Sequence, residues 1–175
     1  MRRLEYAMAL IVLLSFAVSA YIFPSLPETI AIHWNAQGVA DAFSEKGVGV
    51  FVLPVITLGV FVLFLLIPRI DPLKANIEKF RLAFEKFAAI LLAFLVYVQF
   101  VSLWFNLGNA VSMTQALVPG IAILLYAMGA LMDNAKRNWF VGIRTPWTVS
   151  NDVVWDKTHK LGAPLFKISG AIILL

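Results

Sequence analysis

Long apolar stretches dominate this sequence and limit what it can fold into. Four of them cover residues 4–23, 48–67, 87–107 and 116–132. A bilayer core of about 30 Å needs about 20 mostly apolar helical residues to cross it. The chain is also 61% hydrophobic and only 14% charged, whereas soluble domains are roughly a quarter charged. The sequence therefore predicts an all-α, polytopic protein of the cell membrane, surrounded by lipid.

A fifth apolar run, 161–175, reaches the last residue of the sequence. At 1.5 Å per residue it would span roughly 22 Å, which is short of a full crossing. We therefore expect a bundle of about five spans whose last member is incomplete, in a chain that stops inside a longer sequence. The first run has the basic start and small-residue end of a signal peptide, although a retained helix is favoured because further spans follow.

Lysines and arginines alternate between successive connections, and they predict the orientation. Arg2 and Arg3 precede the first run, the 24–47 loop contains only Lys46, and the 108–115 loop contains none. The 68–86 and 133–160 connections contain five each, so a cytoplasmic N-terminus is expected. We divide the chain into a two-span unit with an outer loop (1–67), a cytoplasmic connector (68–86) and C-terminal spans (87–175) with a cytoplasmic motif (138–162).

The connector carries apolar residues at helical spacing. Ile77, Phe80, Phe84 and Phe87 recur every three or four residues, with charged residues between them. This pattern predicts an amphipathic helix that enters the third span along the inner interface. Anchoring in lipid is the favoured interpretation, and a face that docks a partner is the alternative.

The outer loop reads "FPSLPETIAIHWNAQGVADAF" from Phe23 onwards. Its two prolines favour extended backbone, and Ile30, Ile32 and Trp34 then alternate with more polar residues, as in a strand. A turn follows in Asn-Ala-Gln-Gly, before an aspartate. His33 and Asn35 would share the face opposite Trp34.

His33 and Asp41 also suggest a metal or acid–base site. Zinc needs three or four placed ligands, and this loop offers one histidine with Asp41, Glu28 and Glu45. His159 would lie across the membrane, and the chain has no cysteine. We predict no metal and no cofactor. A histidine that organises the loop is favoured, with direct ligand contact as the alternative.

The inner motif reads "NWFVGIRTPWTVSNDVVWDKTHKLG". Thr148, Ser150 and Asn151 are good helix caps, and they predict a short helix over about 152–160. Asp152, Trp155, Asp156 and His159 would share one side of it. We expect Trp139, Trp147 and Trp155 at headgroup level, with Arg144 bound by carbonyls or by Asp152, and Asp156 paired with Lys160.

Two interpretations of this motif stay open: a structural hairpin at the interface, or a polar surface for a cytoplasmic partner. Neither needs catalysis, because no phosphate-binding loop, nucleophile elbow or metal-ligand cluster occurs in the sequence. We therefore expect a protein that is not an enzyme and that does not bind nucleic acid directly.

A small transporter or channel is the competing functional class. Transport pathways usually need ionisable groups inside the spans. The spans offer few polar side chains of any kind, chiefly Thr57, Gln99, Ser102, Asn106 and Lys167. This composition makes a weak case for transport.

The two polar motifs together resemble those of the SdpI family. The outer motif is similar to an N-terminal domain with Tyr-Pro-x-Leu-Pro followed by His-Trp/Phe-Asn, Gly and Asp, with Phe23 in place of the usual tyrosine. The resemblance covers most of the chain, although a sixth span expected in the family is absent. It implies an integral membrane immunity protein that neutralises a membrane-active peptide toxin, and a receptor that draws a transcriptional repressor to the membrane.

The resemblance also implies roles for particular residues. In the outer motif, His33, Asn35, Gly38 and Asp41 would face the toxin, and Trp34 is a further ligand-binding candidate. The inner motif carries the signalling or structural candidates, namely Arg144, Thr145, Pro146, Trp147, Asn151, Asp152, Trp155 and His159.

Overall fold

The computed structural model describes residues 3–174. Within that range the chain forms α1 (Arg3–Ile22), a 3₁₀ turn (Phe23–Ser25), β1 (Thr29–Trp34), β2 (Ala40–Glu45), α2 (Lys46–Ile70), α3 (Lys74–Lys79), α4 (Arg81–Asn106), α5 (Met113–Met132), α6 (Pro146–Ser150) and α7 (Asp152–Ile173). Four of these helices, α1, α2, α4 and α5, are long and apolar enough to cross a membrane. The all-α polytopic fold is confirmed, with one small β-hairpin added to it.

Polar structure is concentrated at the two ends of the helix bundle. One end, here called the hairpin end, carries β1, β2 and the connection between α4 and α5. The other, the basic end, carries α3 and residues 133–151, which contact each other through the Asn76 amide and the Arg137 carbonyl. Lys46 is the sole lysine or arginine between residues 24 and 47, at the hairpin end. The difference in positive charge that predicted the orientation is therefore a difference between the hairpin end and the basic end.

The fifth apolar run does not form a separate element. The expected short helix over 152–160 was wrong in its extent, because a single helix, α7, continues from Asp152 to Ile173. Gly162, within α7, leaves room for Ile143, since a Cβ there would lie 2.6 Å from the Ile143 side chain. The helix runs antiparallel beside α5, and Lys167 forms an ion pair with Asp133. Leu175 lies outside the described residues, as does Arg2.

Glycines, which have no side chain, allow α5 and α7 to approach each other closely. A Cβ on Gly129 would lie 2.6 Å from the Ala163 carbonyl oxygen, and a Cβ on Gly170 would lie 2.6 Å from that of Ala122. Small residues are the usual means by which membrane helices pack, because lipid supplies no hydrophobic drive for their association. These two glycines therefore hold α7 against the bundle.

The connector differs from the interfacial anchor that its pattern suggested. It forms two helices, α3 and α4, that meet at Phe80, and Ile77, Phe80 and Phe84 are fully buried in the main core. The Phe64 ring on α2 lies 5.2 Å from that of Phe84. The apolar face of the connector is covered by protein because α2 packs over it, so lipid anchoring by this face was wrong.

Polar side chains inside the bundle bind one another. Gln99 donates to Ser19 Oγ and to the Ser15 carbonyl, each at 2.9 Å, and accepts from Ser15 Oγ. Ser19 in turn donates to the Val50 carbonyl, so this cluster joins α1, α4 and α2. Thr57 donates to a carbonyl of its own helix. These groups fasten helices together, and among the described residues they form no open polar path.

We predict that Gly129→Ala lowers the stability of the protein, because the added methyl group would overlap the Ala163 carbonyl. Overpacking of this kind costs about 1–3 kcal/mol. Thermal unfolding in detergent measures it. Gly59→Ala is the matched control, since nothing lies within 4 Å of a Cβ at Gly59. Equal unfolding temperatures for the two variants would contradict the packing described here.

Candidate functional site: the hairpin cleft and the basic-end motif

The Asn-x-x-Gly turn of the hairpin is built by its own residues. The Asn35 carboxamide oxygen accepts from the backbone N–H of Gln37 and Val39, each at 3.0 Å. Gly38 has φ +78°, a left-handed conformation that glycine adopts at low cost. Asn35 and Gly38 therefore shape the turn, and their presence in the outer motif has a structural explanation.

His33 and Asp41 face each other across the hairpin. His33 Nδ1 lies 2.5 Å from Asp41 Oδ1, with side chains 66% and 42% exposed. An exposed pair of this kind contributes only about 0–1 kcal/mol to stability. Both side chains are therefore accessible to a ligand, and their replacement should leave the fold intact.

Asn106 fixes the hairpin to the end of α4. Its carboxamide accepts from the backbone N–H of Ala31 at 2.7 Å and donates to the Ala31 carbonyl at 3.0 Å, as a neighbouring strand would. The Trp34 ring packs edge-on against Phe105, with centroids 5.3 Å apart. The predicted strand is confirmed, but its simple alternation is broken by a register shift, so that Ile30 and Ala31 are both buried and Ile32 is exposed.

Below the hairpin lies a cleft of about 370 Å³ between α2, α4 and α5. Its roof is polar and its walls are mostly apolar. The Trp34 indole N–H, on this wall, is buried without a hydrogen-bond partner among the described residues. Such a group costs about 1–3 kcal/mol when it is left unpaired. The lining residues are Ile32, His33, Trp34, Asn35, Gly49, Val52, Leu53, Ile56, Val98, Ser102, Met113, Thr114 and Leu117.

The structure thus brings the outer candidates together at one place. His33, Trp34 and Asn35 line the cleft, Asp41 binds His33, and Gly38 lies on the turn beside Thr114. Thr114 and Val52 were not among the candidates, because nothing in their own neighbourhoods distinguishes them from other span residues. Their role depends on which helices flank the hairpin.

At the basic end, residues 133–151 fold around the buried side chain of Asn138. Its oxygen accepts from the N–H of Phe140 and Val141, and its nitrogen donates to two carbonyls. The Asp71 carboxylate, after α2, accepts from Trp139 N–H at 2.9 Å. The segment is therefore tied to the connector, and neither Asn138 nor Asp71 was among the candidates.

The Arg-Thr-Pro sequence of the motif begins α6. Thr145 and Thr148 cap each other's backbone reciprocally, and Pro146 occupies the first turn, where its missing N–H has no cost.

Arg144 donates to the Trp139 carbonyl at 2.7 Å. Asp152, the alternative partner suggested for Arg144, binds Arg137 instead, at 2.6 Å. Asn151 caps α7 by accepting from two backbone N–H groups.

Trp155 and His159 form the centre of this end. Their rings stack with centroids 4.0 Å apart, and only 1% and 2% of these residues are exposed. The Trp155 indole donates to the Ala135 carbonyl at 2.9 Å, and Gly142, at φ +109°, passes beside both rings. The expectation that Trp155 lies at headgroup level was wrong, because residues 135–143 enclose it. Trp139 and Trp147 remain exposed.

The hydrogen bonds of His159 fix its protonation. Nε2 accepts from Ile143 N–H at 3.0 Å, so it carries no proton, and Nδ1 donates to the Trp155 carbonyl at 2.9 Å. Burial lowers the pKa of His159, while the bond to the Trp155 carbonyl and the charge of Asp156 oppose that shift. The ring is therefore held neutral as a structural link between α7 and the Gly142 turn.

Comparisons with known proteins agree with both motifs. The SdpI/YfhL protein family matches residues 134–175, and a domain of unknown function (DUF1648) matches residues 10–58. Immunity protein SdpI of Bacillus subtilis (strain 168) is 30% identical over 164 residues, which cover 94% of this chain and 76% of that protein. This chain belongs to the SdpI family. No solved structure matches it.

The two matched regions correspond to the two ends of the bundle. The 10–58 region contains most of α1, the whole hairpin and the first half of α2. The 134–175 region of the SdpI family contains the enclosed segment, α6 and α7. The suspected membership is confirmed, as is a multi-pass position in the membrane. The comparisons assign no roles to single residues, so those roles are inferred from the geometry alone.

We predict that the stability of the basic end falls as the pH is lowered. With a depressed pKa in the folded state, His159 contributes fully above about pH 6.5, and the unfolded chain takes up its proton first below that value. In a His33→Ala background, which leaves one histidine, the unfolding temperature should drop between pH 7.5 and 5.5.

His159→Gln in the same background is the control, and it should remove most of this pH dependence. Equal dependence in both proteins would show that the histidine is not the group responsible.

Proposed function

We propose that this protein is an immunity protein that binds a membrane-active peptide in the hairpin cleft. The observation that carries the proposal is the cleft itself, which joins an apolar wall within the spans to a polar roof. An amphipathic peptide presents the same two surfaces. The relative that is 30% identical is named an immunity protein, which supports this functional class.

Each part of the cleft has a task in this proposal. Val52 and Ile56 on α2 offer exposed apolar side chains to the peptide's apolar face. His33 and Asp41 offer a hydrogen-bonding pair at the roof. The peptide would be held beside the protein before it assembled in the bilayer, and protection would require binding alone, without chemistry.

The cleft supports this function better than transport. The transport hypothesis depended on polar groups in the spans, and Gln99, Thr57 and Asn106 are each bound to neighbouring protein groups. Lys167 is paired with Asp133 near the basic end. These contacts leave them with structural roles.

We predict that Val52→Trp abolishes protection because the indole would fill the cleft. The assay expresses the protein in sensitive cells and measures their survival under a membrane-disrupting peptide of the sporulation-delaying type. Val62→Trp is the matched control, since Val62 lies on the same helix with similar exposure, 43% against 39%, and does not line the cleft.

His33→Ala should also weaken protection. The expression level needed for survival should rise roughly tenfold, as expected for the loss of about 1.4 kcal/mol of binding free energy. Gln37→Ala, at the exposed turn, should not. Full protection by both Val52→Trp and His33→Ala, in protein that reaches the membrane, would contradict binding in the cleft.

Relay of a signal to a cytoplasmic repressor is a separate part of the proposal. Trp147, 71% exposed, lies on α6 at the surface of the basic end, where a protein could dock. We predict that Trp147→Ala keeps protection and loses toxin-dependent recruitment of a cytoplasmic regulator to membranes, measured by co-sedimentation. Val153→Ala, an exposed apolar change on α7, is the control. Unchanged recruitment in Trp147→Ala would exclude this surface.

A further inference from the structure

A groove runs along the seam between α4 and α5, and none of its lining residues lines the hairpin cleft. Its wide part, about 580 Å³, begins at the basic end around Lys79, Lys86 and Asn134. A narrower apolar part, about 370 Å³, continues toward Tyr97 and Gly120. Ile90 lines both parts, so they adjoin each other along the seam, and the two are here called the α4–α5 groove.

Small residues create this groove. Ala83 on α4 faces Ala127 and Ala130 on α5, and the space that larger side chains would fill is left open. Farther along, Gly120 lets the Phe94 ring lie against α5, since a Cβ there would be 2.9 Å from that ring. The wall of this second part is almost wholly apolar.

The wide part carries positively charged lysines, Lys79 and Lys86, that form no ion pair within residues 3–174. Arg81 is engaged by Glu5, Glu85 and Glu78, the last of which is on the rim of the groove. Lys79 and Lys86 are exposed, and Lys79 donates to the neutral Asn76 carboxamide oxygen at 2.9 Å. The N-terminus of α4 is at the same place and has no side-chain cap, which adds a partial positive charge.

The length of the groove fits one leaflet of a bilayer. From Lys86 to Tyr97 the helix rises about 16 Å, at 1.5 Å per residue. Half of the hydrocarbon core is about 15 Å thick. A headgroup at the lysines would therefore place its acyl chain along Ile90, Phe94 and Tyr97, ending near the middle of the membrane.

We propose that the α4–α5 groove binds one anionic phospholipid from the leaflet at the basic end. Lys79 and Lys86 hold the phosphate and the charged headgroup, and the Asn134 amide is within the same pocket. The alanine- and glycine-lined seam holds one acyl chain. The orientation rule places this end in the cytoplasmic leaflet, where basic residues between spans commonly meet anionic lipid.

Native mass spectrometry of the delipidated, detergent-purified full chain tests this proposal. Phosphatidylglycerol should bind at one molecule per chain and more tightly than phosphatidylcholine of the same chain length. Lys79→Gln with Lys86→Gln should weaken phosphatidylglycerol binding roughly thirtyfold, or about fivefold for each lysine. Ala130→Leu, which fills the seam, should weaken both lipids.

Two controls separate the site from general charge and from bulk. Lys160→Gln removes a basic residue of α7, and Ala7→Leu adds the same bulk to an exposed position of α1; neither should change binding. Glycerol phosphate, the headgroup without a chain, should not compete. Competition by it would assign the site to a free phosphate, and equal affinity for the two lipids or equal loss with Lys160→Gln would overturn the proposal.

Discussion

The absence of hydrogen-bond partners in the hydrocarbon of a bilayer is the constraint on which this structure depends. A backbone group left unpaired there costs several kcal/mol, so irregular backbone is confined to places where protein or water satisfies it. In this chain the hairpin and the 133–151 segment both lie at ends of the bundle. Even there, Asn106 pairs with the backbone of β1 and Asn138 with the segment around it. These carboxamide side chains thus make the hydrogen bonds to the backbone that neighbouring strands would otherwise supply.

The same constraint explains which predictions succeeded. The four spans, the strand and the Asn151 cap follow from local pattern, and each is found where the sequence places it. Phe84 and Trp155 were expected to contact lipid but are covered by protein. The sequence pattern of an apolar residue near an interface is the same in both cases. The difference is made by α2 in one case and by residues 135–143 in the other, and both contacts are distant in sequence. Membership of the SdpI family could be recognised from motifs. The cleft could not be predicted in this way, because it depends on how three helices pack below the hairpin.

The inner motif illustrates how a conspicuous sequence can be mainly architectural. Thr145, Asn151, Trp155 and His159 all have their polar atoms engaged inside the protein. What remains at the surface is a smaller set, chiefly Trp147 and Arg144. A functional interpretation of the motif therefore narrows to those exposed residues, and the rest of the motif explains why they are held in place.

α5 connects the two ends of the molecule. Its first turn carries Thr114, at the hairpin cleft, and the residues just beyond its last turn include Ala135, whose carbonyl receives the Trp155 indole. Between these points Gly129 and the Ala122 carbonyl are in close contact with α7. A relay between the ends through this helix would have to move it against α7, and such a step requires two discrete arrangements of that interface. The contacts at Gly129 and Gly170 are those that the second arrangement would have to break.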